Sequence, residues 1–353
     1  MTMNHRDISP VSEEAHGEVY VLRVPQGFEE IAIRHIAAMP GASEVELLTD
    51  GAVELRYTGP LARLRALRVV EGVFRTLGVF LSSRSLDEMM RNLLSQVDFR
   101  GWGGGVHDRD PGGRFSLSLS LDPALGIPER DFRSEVTWAL QATLRAKPSP
   151  EGVAIHVAAG PEAGWVGVGG PERQPSEKGS LPSSVAAGTV LYAGARSDDR
   201  VLDPLCGPGE LLVEQALAGP VTTLLGGDVD LKAVRSIQAR LRGLAAPACA
   251  CRWDPRRLPI RPRSIDTVIA YLPSGLQAGS RQIARSLYQS LLKEVIRVLR
   301  PTGRAVLLAG EKEILTPLLG RQTELAIETQ HPVRTGPFRA ELYVIRPVLK
   351  LLT

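Results

Sequence analysis

The chain has 353 residues, of which 43% are apolar and 23% charged, and this composition is typical of globular proteins and excludes wholesale disorder. A length of this order favours two domains. The net charge is only +3, from 42 lysines and arginines against 39 aspartates and glutamates, which excludes a global positive field as the basis of nucleic-acid binding. Any contact with a nucleic acid must therefore come from clustered basic side chains.

The cysteines and the hydropathy pattern bear on location. Cys206, Cys249 and Cys251 are too few for a disulfide framework, and no histidines lie near them at zinc-finger spacing, so we predict a reducing compartment and no metal site. The first twenty residues lack an apolar core of signal-peptide length, and no apolar run reaches the ~20 residues of a membrane span. These observations predict a cytoplasmic protein with no membrane partner.

The first half of the chain mixes strand and helix patterns. Alternating apolar residues predict a strand over 18–24, and helical spacing predicts a helix over 27–39. Two strands are predicted around an Asp50–Gly51 turn, which is a strong hairpin signal. Helices are then predicted over 61–77 and 85–99.

A second group of elements completes this half. Period-two alternation predicts a strand over 114–121, followed by a helix over 130–144 and a strand over 152–160. His156 lies among apolar residues on that last strand, where a lone histidine is more often structural than catalytic. A stretch rich in Gly, Pro and Ser then indicates a domain boundary, so we predict domains over 18–165 and 184–353, with a linker over 166–183.

The second half alternates between helix and strand patterns. Such alternation predicts a parallel, doubly wound sheet that binds its ligand at the carboxyl ends of the strands. The predicted elements are helices over 185–195, 209–218, 231–243 and 287–299, and strands over 199–205, 221–230, 264–272 and 303–310.

The most distinctive motif is VLDPLCGPGELL. A strand ends in Asp203, a turn containing Gly207 and Gly209 allows a ligand to approach the backbone, and a helix begins at once. A second strand ends near Asp228, whose carboxylate is placed to accept hydrogen bonds from ribose hydroxyls, and Asp254 follows a third strand, within reach of an adenine edge. Alternatively, the glycines form a turn without a ligand and Asp228 caps a helix. A dinucleotide-binding dehydrogenase is a weaker alternative, since the spacing differs from its fingerprint.

This motif resembles that of the THUMP-domain RNA methyltransferases, a family that includes tRNA guanine-N2 methyltransferases and whose motif commonly reads D-P-x-C-G-S-G-T. The segment LPSSVAAGTVLYAG is similar to the A-S-L-x-P-x-x-A segment before it. The resemblance implies a C-terminal Rossmann-like class I methyltransferase domain with a parallel doubly wound sheet, and an N-terminal α+β ferredoxin-like/THUMP region that binds RNA. It also implies S-adenosyl-L-methionine as cofactor. The implied cofactor-binding residues are Asp203, Pro204, Cys206, Gly207, Gly209, Asp228 and Asp254.

The catalytic motif of the family is altered in this chain. Relatives read D-x-V-V-x-N-L-P-F-G where this sequence reads DTVIAYLPSG, so the resemblance places the catalytic group at Tyr271, Leu272, Pro273 and Ser274. In the family, the Asn or Asp side chain accepts hydrogen bonds from the target amino group and the aromatic residue stacks on the extruded base. Tyr271 replaces the short polar residue, and Ser274 replaces the ring.

Two functions follow from these observations. The first is an S-adenosylmethionine-dependent transferase of tRNA processing, which methylates a base amino group of RNA, with tRNA as substrate and N2 of guanine as target. The second is a THUMP-type RNA-binding protein whose methyltransferase domain binds the cofactor without turnover. Whether a partner subunit supplies missing groups is left open.

Overall fold

The computed structural model describes residues 17–99, 110, 113–171, 181–244, 247–275 and 279–348, and two β-sheets organise them. The first sheet contains β1 (Glu18–Arg23), β2 (Ala42–Thr49), β3 (Ala52–Tyr57), β4 (Gly72–Leu81), β5 (Arg114–Leu121), β6 (Lys147–Pro148), β7 (Val153–Ala159) and β8 (Ala163–Pro171). Their order across the sheet is β2-β3-β1-β4-β8-β7-β5-β6. The helices of this half are α1 (Glu29–Ala37), α2 (Leu61–Ala66), α3 (Leu86–Gln96) and α4 (Glu129–Leu144).

The predicted hairpin is confirmed. Thr49 and Ala52 pair across the Asp50–Gly51 turn, and Gly51 takes a positive φ of 74°, which glycine adopts at little cost. The strand and helix patterns of residues 114–160 are confirmed as well, with β5 and β7 paired in parallel and His156 buried on β7.

The helix predicted over 61–77 is wrong beyond its first turns. α2 ends at Ala66, and Gly72–Leu81 forms β4, which lies between β1 and β8 in the middle of the first sheet. A short run of apolar residues that is buried on both faces looks the same in a helix and in a strand. Val73, Phe74 and Phe80 are β-branched or aromatic, and residues of these types favour a pleated surface.

The predicted linker starts too early. Residues 166–171 instead form the second part of β8, and residues 172–180 lie outside the described part of the chain. The glycines of β8 make room for the rings of β4: a Cβ on Gly164 would lie 2.2 Å from Phe80 Cζ, and one on Gly167 would lie 2.9 Å from Phe74 Cβ. A glycine-rich strand that admits neighbouring rings has the composition of a linker.

The second sheet contains β9 (Arg200–Asp203), β10 (Thr223–Asp228), β11 (Ala248–Arg252), β12 (Ile265–Leu272), β13 (Leu299–Ala309), β14 (Leu325–Thr335) and β15 (Phe338–Pro347). Their order is β11-β10-β9-β12-β13-β15-β14. The first five strands are parallel, and β15 runs antiparallel to both of its neighbours. The helices are α5 (Ser183–Ala193), α6 (Glu210–Ala218), α7 (Leu231–Arg242), α8 (Arg281–Val298) and α9 (Lys312–Leu319). The strand order reverses between β9 and β12, which is where such sheets bind ligands.

The two halves share one hydrophobic core. Phe28 of the first half packs on Gly188 of α5, where a Cβ would lie 2.6 Å from the ring. Arg68 donates to the buried carboxylate of Glu214 on α6, with Nε 2.9 Å from Oε2. Because a buried carboxylate needs such a partner, these contacts fix the first half against the second. Of the helices that the structure describes, none is both long and apolar enough to cross a membrane.

Candidate cofactor and substrate site

The turn between β9 and α6 is shaped by two glycines. Gly207 and Gly209 have φ values of 49° and 96°, in the left-handed region that favours glycine. A Cβ on Gly209 would lie 1.8 Å from Ile237 Cδ1, whereas a Cβ on Gly207 would have no atom within 4 Å. Gly209 therefore packs against α7, and Gly207 faces open space where a ligand can approach the backbone.

We expect alanine at these two positions to have different effects. Gly209→Ala should lower the free energy of unfolding by about 2–3 kcal/mol, because it adds a clash with Ile237 to the cost of the left-handed conformation. Gly207→Ala should cost only about 1 kcal/mol in stability, because it carries the conformational cost alone. Its methyl group would instead obstruct the ligand. Denaturant unfolding and calorimetry on both variants measure the two effects, and equal losses of stability would contradict this assignment.

Asp203 ends β9 and is almost fully buried, with 1% exposure. Its Oδ1 accepts a hydrogen bond of 3.1 Å from the Leu205 backbone N–H. Burial, with smaller contributions from the nearby carboxylates of Asp228 and Glu210, raises the pKa of this carboxyl group to about 8. The side chain is therefore largely protonated at neutral pH, and a cationic ligand would favour its ionised form.

Asp228 ends β10 and faces the same turn. Its Oδ2 accepts from the Gly207 N–H at 3.1 Å, and its Oδ1 accepts from the Asp230 N–H at 2.9 Å. The interpretation of Asp228 as a helix cap is wrong, because Asp230 caps α7 by accepting from Lys232 N at 2.8 Å. The carboxylate of Asp228 instead links the two strand ends and retains lone pairs for further donors.

Trp253 and Asp254 follow β11 and make different contacts. The indole N–H of Trp253 donates to the Pro204 carbonyl at 3.0 Å, and a Cβ on Gly227 would lie 2.1 Å from the indole ring. Trp253 was not predicted; the Gly226-Gly227 pair at the end of β10 is the signal for it. Asp254 is partly exposed and forms an ion pair with Arg256, whose Nη2 lies 2.7 Å from Oδ2. This arginine lowers the pKa of the Asp254 carboxyl group.

A cavity of about 370 Å³ opens over the glycine turn. It is lined by Leu181, Asp203, Leu205, Cys206, Gly207, Pro208, Glu210, Leu211, Asp228, Tyr271 and Pro273. Cavities of this size hold small-molecule cofactors. The lining includes neither the predicted cofactor residues Pro204, Gly209 and Asp254 nor the predicted catalytic residues Leu272 and Ser274. Cys206 is buried, and its thiol pKa is raised by burial, so it packs the turn and is not an activated nucleophile.

Tyr271 joins this cavity to the loop that follows β12. Its half-buried ring lies against Phe338, with ring centroids 5.8 Å apart and planes tilted by 47°. Burial raises the pKa of the phenol, so the hydroxyl is protonated at neutral pH. Among the residues that the structure describes, no hydrogen bond involves this hydroxyl, which leaves it able to meet a substrate.

The loop after Tyr271 is held by side chains from α8 and from the start of α9. The Tyr288 hydroxyl donates to the Pro273 carbonyl at 2.8 Å, and the Gly275 N–H donates to Glu311 Oε1 at 3.2 Å. Glu311 in turn pairs with Arg281 at 3.2 Å. Leu272 is buried beneath this loop. The backbone around Pro273 is therefore fixed beside the cavity.

A second, larger cavity of about 580 Å³ lies between the two halves. Arg23, Arg334 and Arg339 line it together with Glu71, and His156 and Trp165 lie at its floor. Burial lowers the pKa of His156 to about 3, and its Nδ1 lies 2.7 Å from Ser118 Oγ. This histidine is neutral at physiological pH, as expected of a structural residue.

The residues around the first cavity fit an adenosyl cofactor. Gly207 leaves the backbone open to a ligand, and the Asp228 carboxylate faces the turn where ribose hydroxyls would donate. Asp203 offers a buried acid whose ionised form a cation would stabilise. Trp253 does not line the cavity but packs on Gly227, next to Asp228, and so supports that strand end.

Comparison with known proteins identifies a domain and several relatives. Residues 171–336 match the UPF0020 family, described as RMKL-like, methyltransferase domain. The tRNA (guanine(6)-N(2))-methyltransferase THUMP3 of Homo sapiens is 30% identical over 182 residues, which are 47% of this chain and 36% of the relative. The tRNA (guanine(6)-N2)-methyltransferase of Thermus thermophilus is 34% identical over 142 residues, 39% of this chain and 42% of the relative. The matched segment thus spans less than half the length of these relatives. The predicted resemblance to THUMP-domain RNA methyltransferases is confirmed.

Solved structures match nearly the whole chain. TrmN from Thermus thermophilus has a TM-score of 0.73 at 22% identity and covers 94% of this chain and 99% of that one. SMU.472, a putative methyltransferase complexed with SAH, has a TM-score of 0.65 at 13% identity and covers 95% of this chain and all of that one. At these identities the likeness establishes the fold alone. It confirms the predicted fold, a Rossmann-like domain preceded by an α+β region.

Proposed function

We propose, from the methyltransferase-domain family that residues 171–336 match, that this protein is an S-adenosylmethionine-dependent methyltransferase of a base amino group in RNA. We further propose tRNA as the substrate and N2 of guanine as the target, since relatives named above act there. The observation that carries the proposal is the shared cavity: the glycine turn, Asp203 and Asp228 open into the same space as Tyr271 and Pro273.

The cofactor supplies a methyl group carried on a positively charged sulfur. In this proposal Asp228 accepts hydrogen bonds from the ribose hydroxyls while it keeps the Gly207 N–H at 3.1 Å. Asp203 faces the cationic part of the ligand from its buried position. Asp254 reaches the adenine edge only by leaving Arg256, and an exposed ion pair of this kind costs ~0–1 kcal/mol to break.

In the proposed reaction, residues of this chain orient the amino nitrogen of the target base. In the proposal the Tyr271 hydroxyl and a backbone carbonyl of the loop after it accept the two amino protons, which directs the nitrogen lone pair toward the methyl group. A bound cofactor would supply the methyl group, with the N–C bond formed as the S–C bond breaks, and the methylated amino group would release one proton to water. Tyr288 contributes indirectly, because its hydroxyl fixes the Pro273 carbonyl at 2.8 Å.

We propose that the first half of the chain binds the RNA, as its α+β fold and the family resemblance suggest. Arg23, Arg334 and Arg339 line the cavity between the halves and offer guanidinium groups that can pair with phosphates. Carboxylates line the same cavity, so these guanidinium groups would pair with phosphates individually and not through a net positive field. We propose the cytoplasm as the location, in keeping with three free cysteines.

A transfer assay tests the proposal. The wild-type protein is incubated with methyl-labelled S-adenosylmethionine and total tRNA, and label in the RNA is counted. Incorporation is expected for wild type and not for Gly207→Ala, whose methyl group would narrow the open side of the turn. If the protein binds cofactor and RNA but transfers no label to any RNA pool, the RNA-binding alternative without turnover replaces the proposal.

Replacing Tyr271 by phenylalanine tests the role of its hydroxyl. Tyr271→Phe keeps the ring and its packing against Phe338 but removes the acceptor, so we expect kcat to fall roughly 10- to 100-fold. Cofactor affinity should stay unchanged, because the ring still lines the cavity. Steady-state kinetics and calorimetry measure the two quantities. An unchanged kcat would mean that backbone groups alone orient the amino nitrogen.

A further inference from the structure

The family's stacking ring is missing at Ser274, yet an aromatic ring from another strand lies beside Tyr271, three residues before it. Phe338 starts β15 and is half-buried, and its ring centroid is 5.8 Å from that of Tyr271. β12 and β15 thus bring two rings together at one edge of the sheet. The sequence gives no hint of this pairing, because the two residues belong to distant strands.

The strand register places Phe338 at the catalytic edge. The last pair between β13 and β15 is Ala309 with Glu341, so Phe338 lies beyond the carboxyl end of β13. A Cβ on Gly310 would lie 4.0 Å from both the Arg339 carbonyl oxygen and Ser274 Cβ. The backbone next to Phe338 therefore runs beside the loop where the stacking residue is lacking.

The hairpin that carries Phe338 is held in place by the first half of the chain. Gln26 and Arg334 exchange two backbone hydrogen bonds of 2.9 and 3.0 Å. The Thr335 hydroxyl donates to Glu71 Oε1 at 2.7 Å. Glu71 also accepts from Ser184 Oγ at 2.8 Å, so one carboxylate ties the hairpin to the start of α5. A ring on a hairpin that is anchored through Arg334 and Thr335 can offer a fixed stacking surface.

We propose that Phe338 supplies the stacking ring that position 274 lacks, so that the target base lies against the Tyr271–Phe338 pair. This inference rests on the proposed function and names the residue that holds the base. Stacking on an aromatic ring suits any base, because every base has a π-face. Ser274, with only a hydroxymethyl group, then leaves room beside the rings. The first half of the chain positions the stacking ring through Glu71 and Gln26.

Three substitutions at one position test the proposal. Phe338→Leu keeps an apolar side chain without a π-face and should raise the KM for RNA roughly tenfold or more, within the range measured for lost base stacking. Phe338→Tyr keeps the ring and should restore the wild-type KM. The dissociation constant of S-adenosylmethionine and the thermal midpoint should be the same in wild type and both variants, which separates stacking from a merely structural role.

Phe338→Trp provides a readout that does not require turnover. Stacking of a base on the introduced indole should quench its fluorescence when single-stranded RNA is added, measured as the difference from wild type with its four tryptophans. If wild type transfers no methyl group but this quenching occurs, the proposed reaction fails and the stacking proposal stands. If Phe338→Leu matches wild type in KM, or if RNA binds Phe338→Trp without quenching, the stacking proposal is overturned.

Discussion

Asp228→Ala is expected to weaken S-adenosylmethionine binding by about 100-fold or more. The carboxylate accepts from the Gly207 and Asp230 N–H groups at 3.1 and 2.9 Å, so it both shapes the turn and faces the proposed ribose position. Hydrogen bonds to a charged acceptor contribute about 1.5–3 kcal/mol each, and loss of two of them corresponds to a factor of this size. Isothermal titration calorimetry measures the affinity directly.

A matched control lies two residues away. Asp230→Asn also removes a carboxylate, but an asparagine caps a helix about as well as an aspartate, and Asp230 is the cap of α7. Its cofactor affinity should therefore remain close to that of wild type. Equal losses of cofactor affinity in Asp228→Ala and Asp230→Asn would contradict this account. They would show that binding depends on the negative charge of the region and not on the contacts of Asp228.

Asp203→Asn is expected to have opposite effects on stability and on cofactor binding. Burial raises the pKa of Asp203 to about 8, far above the ~4 of an unfolded chain. The amide can still accept the Leu205 N–H through its oxygen, so the variant keeps this hydrogen bond. It avoids the cost of either protonating the carboxylate or burying it as an anion when the chain folds. At pH 8 we expect the empty variant to be about 1–3 kcal/mol more stable than wild type. Cofactor affinity should fall roughly 10- to 100-fold, because an amide cannot become an anion.

The pH dependence has a definite sign. Because the pKa is raised by folding, the stability contributed by protonated Asp203 is fully present below pH ~4 and is lost as the pH rises through about 8. The stability difference between Asp203→Asn and wild type should therefore grow from pH 5 to pH 8 and then level off. Urea unfolding across this range measures it. A difference that is constant with pH would contradict the raised pKa.

A bound cation would favour the ionised form of Asp203 over the protonated form. The charge on the cofactor lowers the pKa of the acid, so binding should release a proton and grow tighter as the pH rises toward 8. Calorimetry in buffers of different ionisation enthalpy counts that proton. If wild type binds the cofactor without proton release, the cation does not lie beside Asp203. The same conclusion follows if the cofactor affinity of Asp203→Asn depends on pH as that of wild type does.

The cofactor turn was predictable because its signal is local. A strand end, two glycines and a helix start follow one another within a few residues, and the structure brings Asp203, Gly207 and Asp228 together as the motif predicts. Trp253 was missed because its packing on Gly227 depends on how β10 and β11 pair. The ion pair of Asp254 with Arg256 depends on side-chain conformations that a motif does not contain.

The errors in the first half have a common physical cause. β4 lies between two strands and has buried residues on both of its faces, such as Val73 and Phe74, so its sequence lacks the alternation that would distinguish it from a helix. The predicted linker includes residues 166–171 of β8, because glycines in this strand give room to Phe74 and Phe80 of β4. That need appears only when the two strands are paired. Phe338 beside Tyr271 likewise follows from the order of strands in the second sheet.

The most direct test of the proposed activity is the identity of the modified nucleoside. Total tRNA is incubated with wild-type protein and methyl-labelled S-adenosylmethionine, digested to nucleosides and analysed by chromatography with mass spectrometry, with Asp228→Ala as the inactive control. We predict label in N2-methylguanosine with wild type and none with the control. Label in a different nucleoside would contradict the proposed target, and absence of label from every nucleoside, in a protein that binds the cofactor, would contradict catalysis itself.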